Sequence, residues 1–409
     1  MTIQVNHINK KLNGVIELTS SKSISNRVLI IRALSELDFE IDNLAEAKDT
    51  KTLIKLLSTN DITNFDVGHA GTVMRFLTAF LSMKKGEFVL TGSERMQQRP
   101  IQILVDALRT LGAEIEYQNN EGYPPLKIKV GKLTGGEIKI DASISSQYIS
   151  ALMLIAPYMQ NGLKIVFEGK LTSKPYLEMT AQIIQYFGAE LIWQEDAIEI
   201  KAGKYVARDF FVEADWSAAS YWYGMVALAK VADITLFGLQ KNSLQGDSVV
   251  SKIYENFGVK TEYLKNGIRL TKNSKFTTQN SPLCLDFTDC PDIAQTVAVT
   301  CAALNVSAKF TGLHTLRIKE TDRISALQIE LIKLNYSGEV NGDELIVLAS
   351  HQSNESRDTA IKTYDDHRMA MAFAPLGLLY PIKIEDEDVV VKSYPDFWND
   401  LKKVGFEVV

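Results

Sequence analysis

Cysteine is scarce in this 409-residue chain, with Cys284, Cys290 and Cys301 the whole supply. Three thiols with no CxxC pair build neither a disulfide framework nor a zinc or redox site, so a reducing, cytoplasmic setting is expected. Histidine is nearly as sparse, five residues without HxxxH or HExxH spacing, which removes the zinc-hydrolase signature and leaves no metal to expect. A basic excess is also missing. Lys+Arg 44 against Asp+Glu 50 gives a net charge of -6, the wrong sign for a protein that coats nucleic acid. Long hydrophobic runs are absent: the longest apolar stretch, Met369 to Ile382, is broken by Pro375, Gly377 and Pro381 and is shorter than the roughly 18 residues of a spanning helix. No membrane partner is expected, and Met1 to His7 carries no export or transit pattern. GxGxxG and GxxxxGK do not precede a helix, which argues against a nucleotide cradle. A Ser-His-Asp hydrolase has its residue types present but lacks GxSxG.

What is present is an ordinary globular composition, 46% hydrophobic, 23% charged and 9% aromatic, in a chain longer than the ~100–200 residues of one domain. Six apolar helical runs open from a polar start, near Ser21, Ala70, Ile144, Trp216, Asp292 and Asp366, at intervals of 49, 74, 72, 76 and 74. A short alternating segment with the period of a strand follows each run, as in Glu87-Phe88-Val89-Leu90 or Asp233-Ile234-Thr235-Leu236. A second helical pattern then closes on Gly112, Gly188, Gly258 and Gly405, spaced 76, 70 and 147 apart, the usual place for a left-handed helix cap. Leu334-Asn335-Tyr336 stands in the missing middle place. The pattern predicts a unit of helix, strand, helix, strand, strand, repeated six times with the first copy shortened, and two domains of three units. The chain crosses between them near Leu18 to Ser21 and Val212 to Trp216. That places residues 20–213 in the first domain, and residues 1–19 with 214–409, holding both termini, in the second.

Charge and hydrogen-bonding residues gather at the helix starts, where free N–H groups and positive potential favour anions. Lys22, Ser23 and Arg27 share the first start, and Gly71 and Arg75 the second. Ser145, Ser146 and Gln147 open the third, with Ser173 and Tyr176 on the helix after it. In the carboxyl half, Lys319, Glu320 and Arg323 lie in one dense charged run, His367 and Arg368 directly precede Met369 to Ala374, and Lys392 precedes the last helix. Singly, each is equally well a cap or a solvated charge. Together they describe a metal-free cleft rich in Arg and Lys with a few carboxylates, suited to proton transfer on small, multiply anionic substrates.

The segments SKSISNR, AGTVMR, ERMQQRPI, SSQY, SKPY, KETDR, DDHRMAM and KSYPDFW, running from Ser21 to Trp398, resemble the EPSP synthase family, the enolpyruvyltransferases of the shikimate pathway. The resemblance implies an α/β fold of two inverse α/β barrels, each of three βαβαββ units, with the active site in the interdomain cleft. It implies transfer of the enolpyruvyl group of phosphoenolpyruvate to the 5-hydroxyl of shikimate 3-phosphate, with no cofactor and a monomeric chain. By the family's pattern shikimate 3-phosphate is held by Lys22, Ser23, Arg27, Ser145, Ser146, Gln147, Ser173, Tyr176, Asp292 and Lys319. Phosphoenolpyruvate is held by Lys22, Gly71, Arg95, Arg323, Arg368 and Lys392, with Arg75 and His367 nearby. Asp292 matches the proton acceptor, with Glu320 a competent rival, and Glu320 and Lys22 match the groups that move protons at the methylene carbon. Gly71 suggests the glyphosate-sensitive type. His69 and Thr315 depart from the family pattern and carry no assigned role. Two alternatives stay open: the sister enolpyruvyltransferase acting on UDP-N-acetylglucosamine, and an idle repeat scaffold that binds a sugar phosphate.

Overall fold

The computed structural model describes residues 1–59, 62–273, 282–349 and 359–409. Its strands form six small sheets among the described residues, five of four strands and one of two, in a mixed α/β fold. The chain divides into two compact units, Ser21–Val212 and Met1–Ser20 with Glu213–Val409. No helix among the described residues is long and apolar enough to cross a membrane.

The four-stranded sheets share one order. In the Ser21–Val212 unit, Asn64–Asp66 runs parallel to Glu87–Thr91, which pairs antiparallel with Leu126–Lys129, which in turn pairs antiparallel with Glu114–Tyr117. The sheet of Gly136–Asp141, Leu163–Glu168, Ala197–Ile200 and Leu191–Trp193 repeats that order. In the other unit, Lys11–Glu17 lies parallel to Val231–Phe237, and Thr2–Asn6 is inserted antiparallel between Ile382–Glu385 and Glu407–Val408.

Six helices begin within two residues of the six polar starts: Lys22–Leu34, Gly71–Leu81, Ser146–Ile155, Trp216–Leu228, Ala294–Ala303 and His367–Phe373. Their sequences are apolar nearly all round, and a helix of that kind must be enclosed on every side. In Trp216–Leu228 every residue but Ser217 is buried. Each unit packs three of them together, while its strands alternate buried and exposed residues and so cover that core with one face. Gly112, Gly188, Gly258 and Gly405 all have left-handed backbone, and Asn335 takes the same conformation where glycine is missing.

The start of the Trp216–Leu228 helix is fixed by two buried side chains. Gln245 accepts from the Trp216 backbone N–H at 3.0 Å and donates to the Ala214 carbonyl at 2.7 Å. Glu213 accepts from Trp216 Nε1, the Gln240 N–H, the Ser243 hydroxyl and Gln245 Nε2 at 2.7–3.1 Å. Burial raises the Glu213 carboxyl pKa, and those donors hold it back. Removing this acceptor strands four donors. Glu213→Ala should therefore cost about 3 kcal/mol, read as a lower urea midpoint, with Glu213→Gln recovering part of it; a midpoint unchanged in Glu213→Ala would refute this account.

Candidate active site

In the Ser21–Val212 unit, Ser21 caps the first helix by accepting from the Ile24 N–H at 3.4 Å. Lys22, on its first turn, places Nζ 3.0 Å from the Asp49 carboxylate. Arg27 is nearly enclosed. It donates to Thr180 Oγ1 at 2.7 Å, the Ser23 carbonyl at 2.9 Å, Ser150 Oγ at 3.2 Å and the Tyr176 carbonyl at 3.3 Å, and burial lowers its pKa to about 10. It thereby ties the Ser23 turn to the Tyr176 turn. Ser173, which starts the Lys174–Tyr186 helix, has left-handed backbone with φ 54°, a conformation costing about 1–3 kcal/mol for a residue with a side chain.

Gly71 opens its helix beside an arginine that the sequence argument passed over. A Cβ at position 71 would meet the Arg99 guanidinium at 2.5–2.9 Å. The segment carrying Arg99 is fastened at the Pro100 carbonyl, which accepts from Arg75 Nη2 at 2.8 Å and from the Tyr148 hydroxyl at 2.6 Å. Arg75 also donates to the Gly71 carbonyl at 3.2 Å. Arg95 lies half-buried on the short helix Glu94–Gln97, which is capped by Ser93, whose hydroxyl contacts His69 Nδ1 at 3.1 Å. Gln147 donates to Thr72 Oγ1 at 3.3 Å and its N–H to the Ser145 cap at 3.3 Å, which joins the second and third helix starts. Ser146 is the first residue of that third helix.

In the other unit, the starts of the Arg323–Lys333 and His367–Phe373 helices, with Lys319 shortly before the first of them, converge on Asp292. Arg323, which is 2% exposed, donates to Asp292 Oδ1 at 3.0 Å, Glu320 Oε2 at 2.8 Å and Asp366 Oδ2 at 2.6 Å. Arg368 reaches Asp292 Oδ2 at 2.9 Å and the Asp292 carbonyl at 3.0 Å. Lys319 Nζ lies 3.6 Å from Asp292 Oδ1. Burial opposes charge on Asp292, yet Arg368, Lys319 and Arg323 together outweigh it and hold the carboxyl well below the usual carboxylate range. Asp366 caps the His367–Phe373 helix by accepting from the Arg368 N–H at 2.9 Å, and His367 Nδ1 lies 3.8 Å from it. Lys392 donates to the Asp365 carbonyl. Thr315 is buried, and its hydroxyl has no hydrogen-bond partner among the described residues.

Sequence reading and family resemblance thus named Asp292, Lys319, Glu320, Arg323 and Arg368, while Asp366 entered only as a helix start and its bond to Arg323 was not foreseen. In the Ser21–Val212 unit they missed Arg99, and the signal lay in ERMQQR, where two arginines stand four apart and spacing alone does not say which one faces Gly71.

A carboxylate in the grip of three cations at converging helix starts defines a site for acid–base work on anions. The chain matches the family model for EPSP synthase (3-phosphoshikimate 1-carboxyvinyltransferase) over residues 6–64 and 55–401. It is 50% identical over 401 residues to the 3-phosphoshikimate 1-carboxyvinyltransferase of Bacteroides fragilis, with 97% of each chain covered. It is 36% identical over 425 residues to that of Vibrio vulnificus, again with 97% of each covered. Among solved structures, an EPSP synthase from Acinetobacter baumannii has the same fold, with TM-score 0.79 at 20% identity, covering 100% of this chain and 99% of that one. The chain belongs to the EPSP synthase family.

Because the Asp292 pKa is depressed by folding, its stabilisation is fully present above the unfolded value of about 3.9 and is lost only as pH falls through the folded one. Asp292→Asn leaves buried cations without their counter-charge and should lower stability by about 3 kcal/mol, a deficit that does not grow from about pH 5 to 8. Denaturant melts across that range check it; a deficit that grows steadily with pH would contradict the assignment.

Proposed function

We propose that the chain transfers the enolpyruvyl group of phosphoenolpyruvate to the 5-hydroxyl of shikimate 3-phosphate, giving 5-enolpyruvylshikimate 3-phosphate and inorganic phosphate. The observation that carries this reading, beside the family membership, is the Asp292 carboxylate set against Arg323, Arg368 and Lys319. Lys22, Ser23, Ser145, Ser146, Gln147, Ser173, Tyr176 and Lys319 hold shikimate 3-phosphate, with Arg27 fixing the Ser23 and Tyr176 turns. Lys22, Gly71, Arg323, Arg368 and Lys392 hold phosphoenolpyruvate. Arg99 takes the part first given to Arg95, since its guanidinium is the one against Gly71, and Arg75 positions it.

The chemistry follows from these groups. An acid, Glu320 or Lys22, protonates the methylene carbon, and the neighbouring carbon becomes electron-poor. The 5-hydroxyl attacks there as a carboxylate takes its proton, forming a tetrahedral intermediate. The C–O bond to phosphate then breaks and the new methyl group returns a proton, restoring the double bond as the product's enol ether. Held by three cations, Asp292 is a weak base; substrate anions that draw Arg323, Arg368 and Lys319 to themselves restore its basicity. Binding and base activation are thereby one event. Single-turnover proton exchange compared between Asp292→Asn and Glu320→Gln identifies the dominant base.

The finer architecture belongs to the same proposal: two inverse barrels of three βαβαββ units, bounded near residues 20 and 213, in a cytoplasmic monomer. The shared order of the four-stranded sheets supports it.

Phosphate release from phosphoenolpyruvate should require shikimate 3-phosphate and fall at least about 100-fold in Asp292→Ala; release without shikimate 3-phosphate, or undiminished in the variant, would refute the function. Gly71→Ala should push Arg99 aside and raise KM for phosphoenolpyruvate about tenfold with a smaller effect on kcat. A KM unchanged in Gly71→Ala would remove Arg99 from the site.

A further inference from the structure

One buried carboxyl group beside this cluster has no part in the reaction as described. Asp247 is 3% exposed and is the second residue of the short turn Gly246–Val249, which Gln245 precedes. Gln245 anchors that turn to the start of the Trp216–Leu228 helix through the Trp216 N–H and the Ala214 carbonyl. Asp247 Oδ2 accepts from the hydroxyl of Ser217, the one residue of that helix not fully buried. The same hydroxyl oxygen lies 3.5 Å from Arg368 Nη2, and that nitrogen lies 2.9 Å from Asp292 Oδ2. A single chain of contacts runs from Asp292 through Arg368 and Ser217 to Asp247.

We propose that Asp247 is a positioning residue for the reaction, setting the Arg368 guanidinium against Asp292 and the substrate acid by way of the Ser217 hydroxyl. The inference rests on the reading of Arg368 as a phosphoenolpyruvate ligand.

The two carboxyl groups at the ends of this chain have opposite support. Asp292 receives three cations, whereas among the described residues Asp247 receives one hydroxyl and its Oδ1 has no hydrogen-bond partner. A buried carboxylate so poorly supported favours its neutral form. The groups facing it are Asp292 from the Pro291–Ile293 turn, Arg368 from the His367–Phe373 helix, Asp215 at the cap of the Trp216–Leu228 helix, and the Cys290 thiol. Burial first, and then the charge of Asp292, push Asp247 up to about 7, while Arg368 and Ser217 pull the other way.

Asp247 therefore works as the neutral acid. In that form it accepts from Ser217 without competing for the guanidinium. Ionised, it draws Ser217 and Arg368 toward itself and adds negative charge where an anion must bind. The active fraction falls as pH rises through about 7, so kcat/KM for phosphoenolpyruvate should decline above that pH. Substrate phosphate groups, with a second pKa of about 6, produce the opposite slope, since they bind better when ionised. Bound anions raise the Asp247 pKa further, so the decline in kcat should lie at higher pH than the decline in kcat/KM.

The test is steady-state kinetics of the full chain with phosphoenolpyruvate varied at saturating shikimate 3-phosphate, from about pH 5.5 to 9, with thermal melts confirming that each variant folds. Asp247→Ala and Ser217→Ala should each raise KM for phosphoenolpyruvate about tenfold while kcat changes less than about threefold. The isosteric, neutral Asp247→Asn should bring KM back to within about threefold of the parent and flatten the decline above pH 7. Asp247→Asn as impaired as Asp247→Ala, or a KM unmoved in both Asp247→Ala and Ser217→Ala, overturns the proposal. If Asp247→Ala does not fold, Ser217→Ala and Asp247→Asn decide between the same outcomes. Arg368→Lys separates the two layers: a KM it leaves unchanged defeats the reading of Arg368, whereas a KM raised by Arg368→Lys but by neither Asp247→Ala nor Ser217→Ala defeats this inference alone.

Discussion

The Asp292 carboxylate and the cations around it form the constraint from which the chemistry of its unit follows. Three cations, Lys319, Arg323 and Arg368, meet three carboxylates, Asp292, Glu320 and Asp366, within hydrogen-bonding or ion-pair distance. Arginine at 2% exposure carries a large desolvation cost, and only a hydrogen-bonded ring of opposite charge offsets it. The ring has no net charge at rest. Two multiply charged acids added to it would repel one another and the carboxylates, so further cations are required, and Lys392 of the same unit is of the right kind. The same balance explains why Asp247 serves best without its charge. One more buried anion would turn a neutral ring negative.

Backbone strain accompanies this electrostatic arrangement. Tyr364 and Asp365, immediately before the Asp366 cap, are consecutive left-handed residues at φ 56° and 55°, each costing about 1–3 kcal/mol. They persist because their surroundings hold them. The buried Glu330 carboxylate accepts from the Tyr364 hydroxyl at 2.7 Å, and Lys392 bonds the Asp365 carbonyl. The tight double turn delivers Asp366, His367 and Arg368 to the helix start, where Asp366 meets Arg323 and Arg368 meets Asp292. A cation assigned to substrate binding is thus also a brace for the turn that presents another.

Much of this was legible in the sequence, for a physical reason. Helices enclosed on all sides have no charged face, so Trp216–Leu228 or Ala294–Ala303 reads as a run without Asp, Glu, Lys or Arg whose start is conspicuous. Left-handed caps favour glycine strongly enough that Gly112, Gly188, Gly258 and Gly405 marked the helix ends, and Asn335 showed the tolerated exception. Charge crowded at a helix start is equally visible, which is why Lys319, Glu320, Arg323 and Arg368 stood out, whereas Asp292 was named through the family resemblance. What spacing does not carry is the direction of a long side chain. Arg27 reads on paper as a substrate ligand, and four of its five N–H groups are directed to Ser23, Ser150, Tyr176 and Thr180. Arg95 and Arg99 were interchangeable on paper. Asp247 and Ser217 were invisible, since their contact joins residues 30 apart that belong to no charged run.

Gly71 and Arg99 show how little of such a site is carried by any one residue. The glycine contributes no group of its own; its missing Cβ leaves the space that the Arg99 guanidinium fills, so a cation and the helix N–H groups act at the same spot. Arg75 holds that cation indirectly, through the Pro100 and Gly71 carbonyls, as Ser217 and Asp247 hold Arg368. In both units the charge that would meet a substrate anion is steered by a buried polar group one residue removed from it. A guanidinium left to itself would explore many rotamers, and ordering it at the moment of binding would cost affinity. Fixing it beforehand transfers that cost to folding, where the buried network has already met it.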